Sequence, residues 1–195
     1  MNSLARFAAV LTGAAFATFC GGCKSFGPLT IKPVHSSAVA LEPQFTEGFY
    51  RVTRDHTYDF YLQTSTAAAK GKKAAVKQIA IIRVFWRPIP GITPILSSSI
   101  NATIRYIVIT PGGVGMYQGG GFVRLFNARG ARVMHAAIVG GDLRLTGASG
   151  YFKDALGPSR IRGNIRAVHS AMKEINLALR ARRAAFAASY VDRFK

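Results

Sequence analysis

The pentapeptide Asp55-His56-Thr57-Tyr58-Asp59 is the one place in this 195-residue sequence where carboxylates and an imidazole stand close together. General acid–base work needs such groups within hydrogen-bond reach of a shared proton. On an extended strand, however, Asp55, Thr57 and Asp59 share one face and His56 takes the other, so no acid–base pair or metal fork forms locally. His135 and His169 fall on other predicted strands, and nothing in the spacing requires them to meet His56. A catalytic site demands several converging groups, so a histidine enzyme is the lesser reading.

Two glycine-rich runs also invite a chemical reading. Gly113-Val114-Gly115 followed by Gly119 is superficially a phosphate loop, but nucleotide-binding loops join a strand to a helix N-terminus. This run joins strand to strand, where a turn plus a bulge is expected. Gly147-Ala148-Ser149-Gly150 misses the G-x-S-x-G elbow, and its context lacks the strand-turn-helix geometry that exposes a nucleophilic serine.

Charge is the strongest chemical signal. Lys and Arg number 26 against 8 Asp and Glu, giving a formal +18, and 17 of the 26 are arginine. Such a surface attracts anions such as nucleic acid, phospholipid head groups or phosphorylated glycolipid. Arg124, Arg144, Arg160, Arg162 and Arg166 occupy alternating positions on predicted strands. In the right register they make a stripe that clamps phosphate or sulfate. In any other register they are solvated outer-face residues.

The cysteines lie at the N-terminus. Residues 1–6 carry one positive charge, and Phe7 to Phe19 is an uncharged, mostly apolar run of 13 residues. That run is shorter than the roughly 18 to 20 residues a membrane-spanning helix needs, and it suits the core of a secretory signal. Ala15-Phe16-Ala17 offers a site to the ordinary signal peptidase. Cys20-Gly21-Gly22-Cys23-Lys24-Ser25 resembles the lipobox of bacterial lipoproteins, with Cys20 standing where that class usually has Leu. The resemblance implies removal of residues 1–22, diacylation of Cys23 and a lipid anchor. Two acyl chains, at about 0.8 kcal/mol per buried CH₂, hold a protein stably at a membrane. Redox, zinc and haem readings of C-x-x-C lack a βα context, two further ligands and a following His, respectively. After Cys23 there is no cysteine, so the mature domain has no disulfide.

These residues must be positioned by the elements that follow. Residues 23–46, with Pro28, Pro33 and Pro43 among Ser, Thr and Lys, read as a tether, or else as an arm packed along the domain. From Phe49 the apolar period becomes 2. Strands are expected at 49–63, 76–87, 98–110, 114–126, 132–139, 143–149 and 159–168. Lys70, Lys72 and Lys73 occupy a basic loop at 64–75, and Gly140-Gly141-Asp142 reads as a turn. The 76–87 strand is apolar on both faces, so one face lines the core and the other lies under the helix or loops. Gly119, Gly120 and Gly121 allow the bend by which a sheet curls. Ser170 is the expected N-cap of a helix over about 170–193, with Glu174 near the positive end of its dipole. Met172, Ile175, Leu179, Phe186 and Tyr190 form its apolar stripe, which should pack on the sheet or plug one end.

The fold class expected is therefore mainly β: an antiparallel meander of about seven strands, curled into a small barrel of lipocalin-like architecture, with a C-terminal helix. Residues 47–195 make one domain. Fold does not fix function. The favoured reading is an exported, lipid-anchored envelope protein facing the periplasm, or secreted if cleaved after Ala17. It binds an anionic or amphipathic ligand, such as a fatty acid, phospholipid or lipid A, without catalysis. The sequence calls for no cofactor and no metal. A small-barrel enzyme of isomerase or cyclase type, with a site in the cavity, is the alternative. Nucleic-acid binding fits the charge but conflicts with the export signal.

Overall fold

The computed structural model describes residues 27–35, 40–64, 76–87 and 99–190. Eight strands precede one helix: β1 (Leu29–Pro33), β2 (Glu47–Val52), β3 (Tyr58–Gln63), β4 (Lys77–Val84), β5 (Ala102–Thr110), β6 (Gly113–Leu125), β7 (Val133–Gly150), β8 (Ser159–His169) and α1 (Ala171–Tyr190). Residues 1–22, read above as a signal segment, Cys23, and Lys70, Lys72 and Lys73 lie outside the described residues.

From β2 to β8 each strand pairs with the next, and β8 pairs back to β2, so the pairings close into a ring. All pairs are antiparallel except the last, where Phe49 stands opposite Val168 and Tyr50 opposite His169 in parallel register. This departure from a purely antiparallel sheet follows from arithmetic. Seven strands that alternate in direction begin and end pointing the same way, so closure requires a parallel pair.

Of the two readings of residues 23–46, the described part follows the packed arm and not the tether. β1 runs antiparallel to β8, from Leu29 opposite Gly163 to Pro33 opposite Ser159. Leu29, Ile31 and Phe45 are buried among the core side chains, so these residues gain more by burial than by standing off in solvent. Gly163 makes the approach possible: its φ is +137°, and a Cβ there would sit 2.1 Å from the Pro28 carbonyl oxygen.

Two other expectations are corrected. Residues 49–63 are two strands, because Thr53 and Thr57 pinch the chain between them into a turn. The Thr53 N–H donates to the Thr57 carbonyl at 2.9 Å, the two hydroxyls lie 2.7 Å apart, and His56 adopts φ 60°. Conversely, residues 133–150 form one strand through Gly140-Gly141, where the register slips between Ile138 and Gly141. Glycine absorbs the slip as a bulge rather than a turn, because Gly141 must pass close to Ile104 and Ile161.

The inside of the ring is filled. Tyr50, Phe60, Leu62, Ile82, Ile104, Tyr106 and Tyr117 are all under 2% exposed and belong to one buried cluster. The tyrosine hydroxyls reach out of the apolar interior to partners: Tyr50 donates to the Ala131 carbonyl, Tyr106 to Gln78 Oε1 at 2.6 Å and Tyr117 to Asp154 Oδ1 at 2.6 Å. Burial pushes the Tyr106 and Tyr117 hydroxyls far up from their ordinary pKa, and the Asp154 carboxylate pushes Tyr117 further. Both remain protonated donors.

α1 begins directly after Ser170 and lies on the outside of the ring. Leu177, Ala181, Ala184 and Ala188 pack with Tyr61, Ile79, Ile107 and Met116. Three members of the expected stripe face the other way, Ile175, Leu179 and Phe186 being exposed, while the side chains of Met172 and Tyr190 lie outside those described. Small alanines win the sheet-facing side because a helix can approach a pleated surface closely only over short side chains, whereas the larger residues would hold it off.

Candidate anion-binding site

Strand register sets the site. Across the outer face, Phe49, Tyr61, Ile81, Arg105, Gln118 and Arg144 stand in successive cross-strand pairs from β2 to β7. The adjacent row runs Arg51, Asp59, Arg83, Thr103 and Gly120. α1 covers part of the first row and leaves a groove of about 460 Å³ beside it. Arg83, Arg105 and Arg182 line this groove, with Thr103, Gln118 and Tyr61 as further polar groups and Ile81, Ile104 and Ala178 as apolar surface. Among the described residues that line it, none is acidic.

Gly119 opens the floor. A Cβ there would lie 1.6 Å from the Asp142 carbonyl oxygen, so only glycine lets β7 pass so close to β6. Ile104, an inner-face residue that lies against Gly121 and Gly141, also lines the groove.

Asp59 positions one of the arginines. It is fully buried although it faces outward, because arginines on both neighbouring strands cover it. Arg83 Nε donates to Oδ1 at 2.7 Å and Nη2 to Oδ2 at 3.1 Å, while Arg51 donates through Nε at 3.2 Å and Nη2 at 3.0 Å. Burial raises the cost of ionising Asp59, but the hydrogen bonds and charges of Arg83 and Arg51 outweigh it and hold the carboxyl below its ordinary pKa. Arg83 is thereby oriented, yet its side chain stays 53% exposed toward the groove. One carboxylate against two guanidiniums leaves this trio positive, and Arg105 and Arg182 add to it.

The five arginines singled out by alternation all fall on the outer side of β6, β7 and β8. None is the direct cross-strand partner of another. Arg124 faces Ala137, Arg144 faces Gln118, Arg160 faces Asp142 and Lys32, Arg162 faces Thr30, and Arg166 faces His135. Arg160 and Asp142 make only a 4.0 Å contact between exposed side chains. Arg144 alone continues the row that forms the groove.

Sequence reasoning missed Arg83, Arg105 and Arg182 as a group. The available signal was the second apolar face of β4, which ends in Arg83 and marks where the helix must sit.

The histidines do not gather. His56 is in the exposed β2–β3 turn, His135 lies outside on β7, and His169 meets Tyr50 edge-on with ring centroids 5.2 Å apart. Among the described residues no cluster of three potential metal ligands exists, and no helix is long and apolar enough to cross a membrane.

No family model, curated protein or solved structure matches this chain. The functional reading therefore rests on the groove and its charges.

Proposed function

We propose that this chain is an exported envelope protein, anchored through a lipid on Cys23, that binds an anionic amphipathic molecule without transforming it. The carrying observation is that Arg83, Arg105 and Arg182 line one groove whose remaining walls include Ile81, Ile104 and Ala178. Guanidiniums match phosphate oxygens in pairs, and the apolar wall suits a short length of acyl chain. The volume, about 460 Å³, suits a head group with part of a tail.

The ring is read here as a small barrel, lipocalin-like in architecture alone. Lipocalin-like containers hold ligands inside. In this protein tyrosines and aliphatic side chains occupy the inside, which favours the outer face beside α1 as the place of binding. The same packing weakens the cavity-enzyme alternative, which needs a hollow interior and converging acid–base groups.

Calorimetric titration of the full chain, carrying Cys23→Ser to prevent acylation, tests the site. A short-chain phosphatidic acid should bind, and an uncharged analogue of equal chain length should not. Arg105→Glu should weaken binding at least about tenfold, since a hydrogen bond to a charged group contributes about 1.5–3 kcal/mol, with the melting temperature unchanged. Equal binding by wild type and Arg105→Glu would refute the assignment. Anchoring is checked separately by the mass of the mature N-terminus of the unsubstituted chain in a bacterial host.

A further inference from the structure

α1 carries a second apolar face that packing on the sheet does not use. Ile175, Leu179 and Phe186, spaced i, i+4 and i+11, share one side and are 52%, 47% and 70% exposed. Leu177, Ala181, Ala184 and Ala188 are buried on the opposite side, about half a turn away. Arg182 and Arg183, both exposed, flank the outward stripe on its two sides. We infer that this outward face of α1 is a docking surface for an anionic lipid bilayer, with the helix lying in the interface plane.

Three observations favour a bilayer over other occupants. The pattern of branched aliphatic and aromatic residues bordered by arginine is that of an interfacial helix, whose apolar side enters the acyl boundary while guanidiniums stay at the phosphates. Charge complementarity points the same way: the chain is +18, and the exposed charged side chains described on α1 are Lys173, Arg180, Arg182 and Arg183. A second copy of this chain would instead bring Arg182 and Arg183 toward their equals across a two-fold axis. Continuity with the groove is the third. Arg182 both borders the stripe and lines the groove, so a helix lying on a bilayer sets the groove mouth at head-group height, where lipid is the ligand at hand. The inference rests on the preceding section only for the presence of a membrane and for the groove's ligand.

Vesicle co-sedimentation of the full chain with Cys23→Ser provides the test. Vesicles of mixed phosphatidylcholine and phosphatidylglycerol should bind it, and vesicles of phosphatidylcholine alone should bind it much less. The double substitution Ile175→Asp/Leu179→Asp should lower partitioning at least about tenfold while leaving short-chain phosphatidic acid binding in the groove intact. Arg105→Glu should do the reverse. Should the double variant unfold, Leu179→Trp replaces it, and its emission should shift to the blue on addition of the mixed vesicles. No vesicle binding by the parent, undiminished binding by the double variant, no shift in Leu179→Trp, or a parent dimer that the double substitution breaks would each overturn the docking surface. Loss of phosphatidic acid binding in the parent would instead count against the groove.

Discussion

Asp59 is held ionised by its two arginines, and that dependence is measurable. Its carboxyl titrates below the ordinary value in the folded chain, whereas an unfolded aspartate titrates near about 3.9. The stabilisation is therefore complete above that pH and is lost as pH falls through the lower, folded value. Asp154 behaves in the same direction: burial opposes its ionisation, but Tyr117 and the backbone N–H groups of Gly157 and Leu156 overcome it. Asp59→Asn should lower stability by about 1–3 kcal/mol at neutral pH, because Arg51 and Arg83 lose their shared acceptor. The substitution should also flatten the acid limb of a urea-midpoint profile below about pH 4, and an unchanged acid limb would show that the trio does not couple to folding. The sequence made Asp59 visible as an acid on the outward face of a strand. It did not reveal the flanking arginines, because cross-strand partners are 8 and 24 residues away in the chain.

Elements carry the next set of consequences. β1 closes the gap that β2 leaves along β8, since β2 pairs only with Val168 and His169. Ile31 is fully buried at that position, so Ile31→Ala should cost about 2–5 kcal/mol in chemical denaturation, whereas a free tether would lose almost nothing. The α1–sheet contact is equally specific. Ala181 is fully buried between helix and sheet, and Ala181→Phe should destabilise the chain by about 1–3 kcal/mol through overpacking. It should also abolish ligand binding in the groove, because lifting α1 moves Arg182 and Ala178 off its wall. Retained binding with an intact fold would mean that the helix is not what shapes the groove. Strand faces were legible from alternation: Tyr58, Phe60 and Leu62 point in, and Asp59, Tyr61 and Gln63 point out, as the pattern implies. The helix face was not legible. Its apolar residues occupy both sides, and periodicity alone favours the larger ones, while the sheet selects the side made of alanine.

At the scale of the whole molecule, the positive field and the groove should act together. Anion binding should weaken steeply as ionic strength rises from about 0.05 to 0.5 M, because the Debye length falls and exposed guanidiniums are screened. A saturating short-chain phosphatidic acid should raise the melting temperature by mass action, as any ligand of the native state does. A salt-independent affinity would argue that the apolar wall, and not the arginines, provides the binding.

The balance of charge, the two-sided strands, the terminal helix and the glycines where the sheet must bend were all legible in the chain, because each depends on residue type and spacing within a single segment. Tertiary structure decided which segments became neighbours. It turned seven strands into a ring with one parallel closure, drew the 27–35 arm onto β8, and put Arg83, Arg105 and Arg182 around one groove whose described lining includes none of the five arginines in the alternating stripe. The physical reason is register: shifting a strand by one residue reverses every side chain on it, so which cations share a site depends on pairings between distant parts of the chain, and these are settled by packing of the common core.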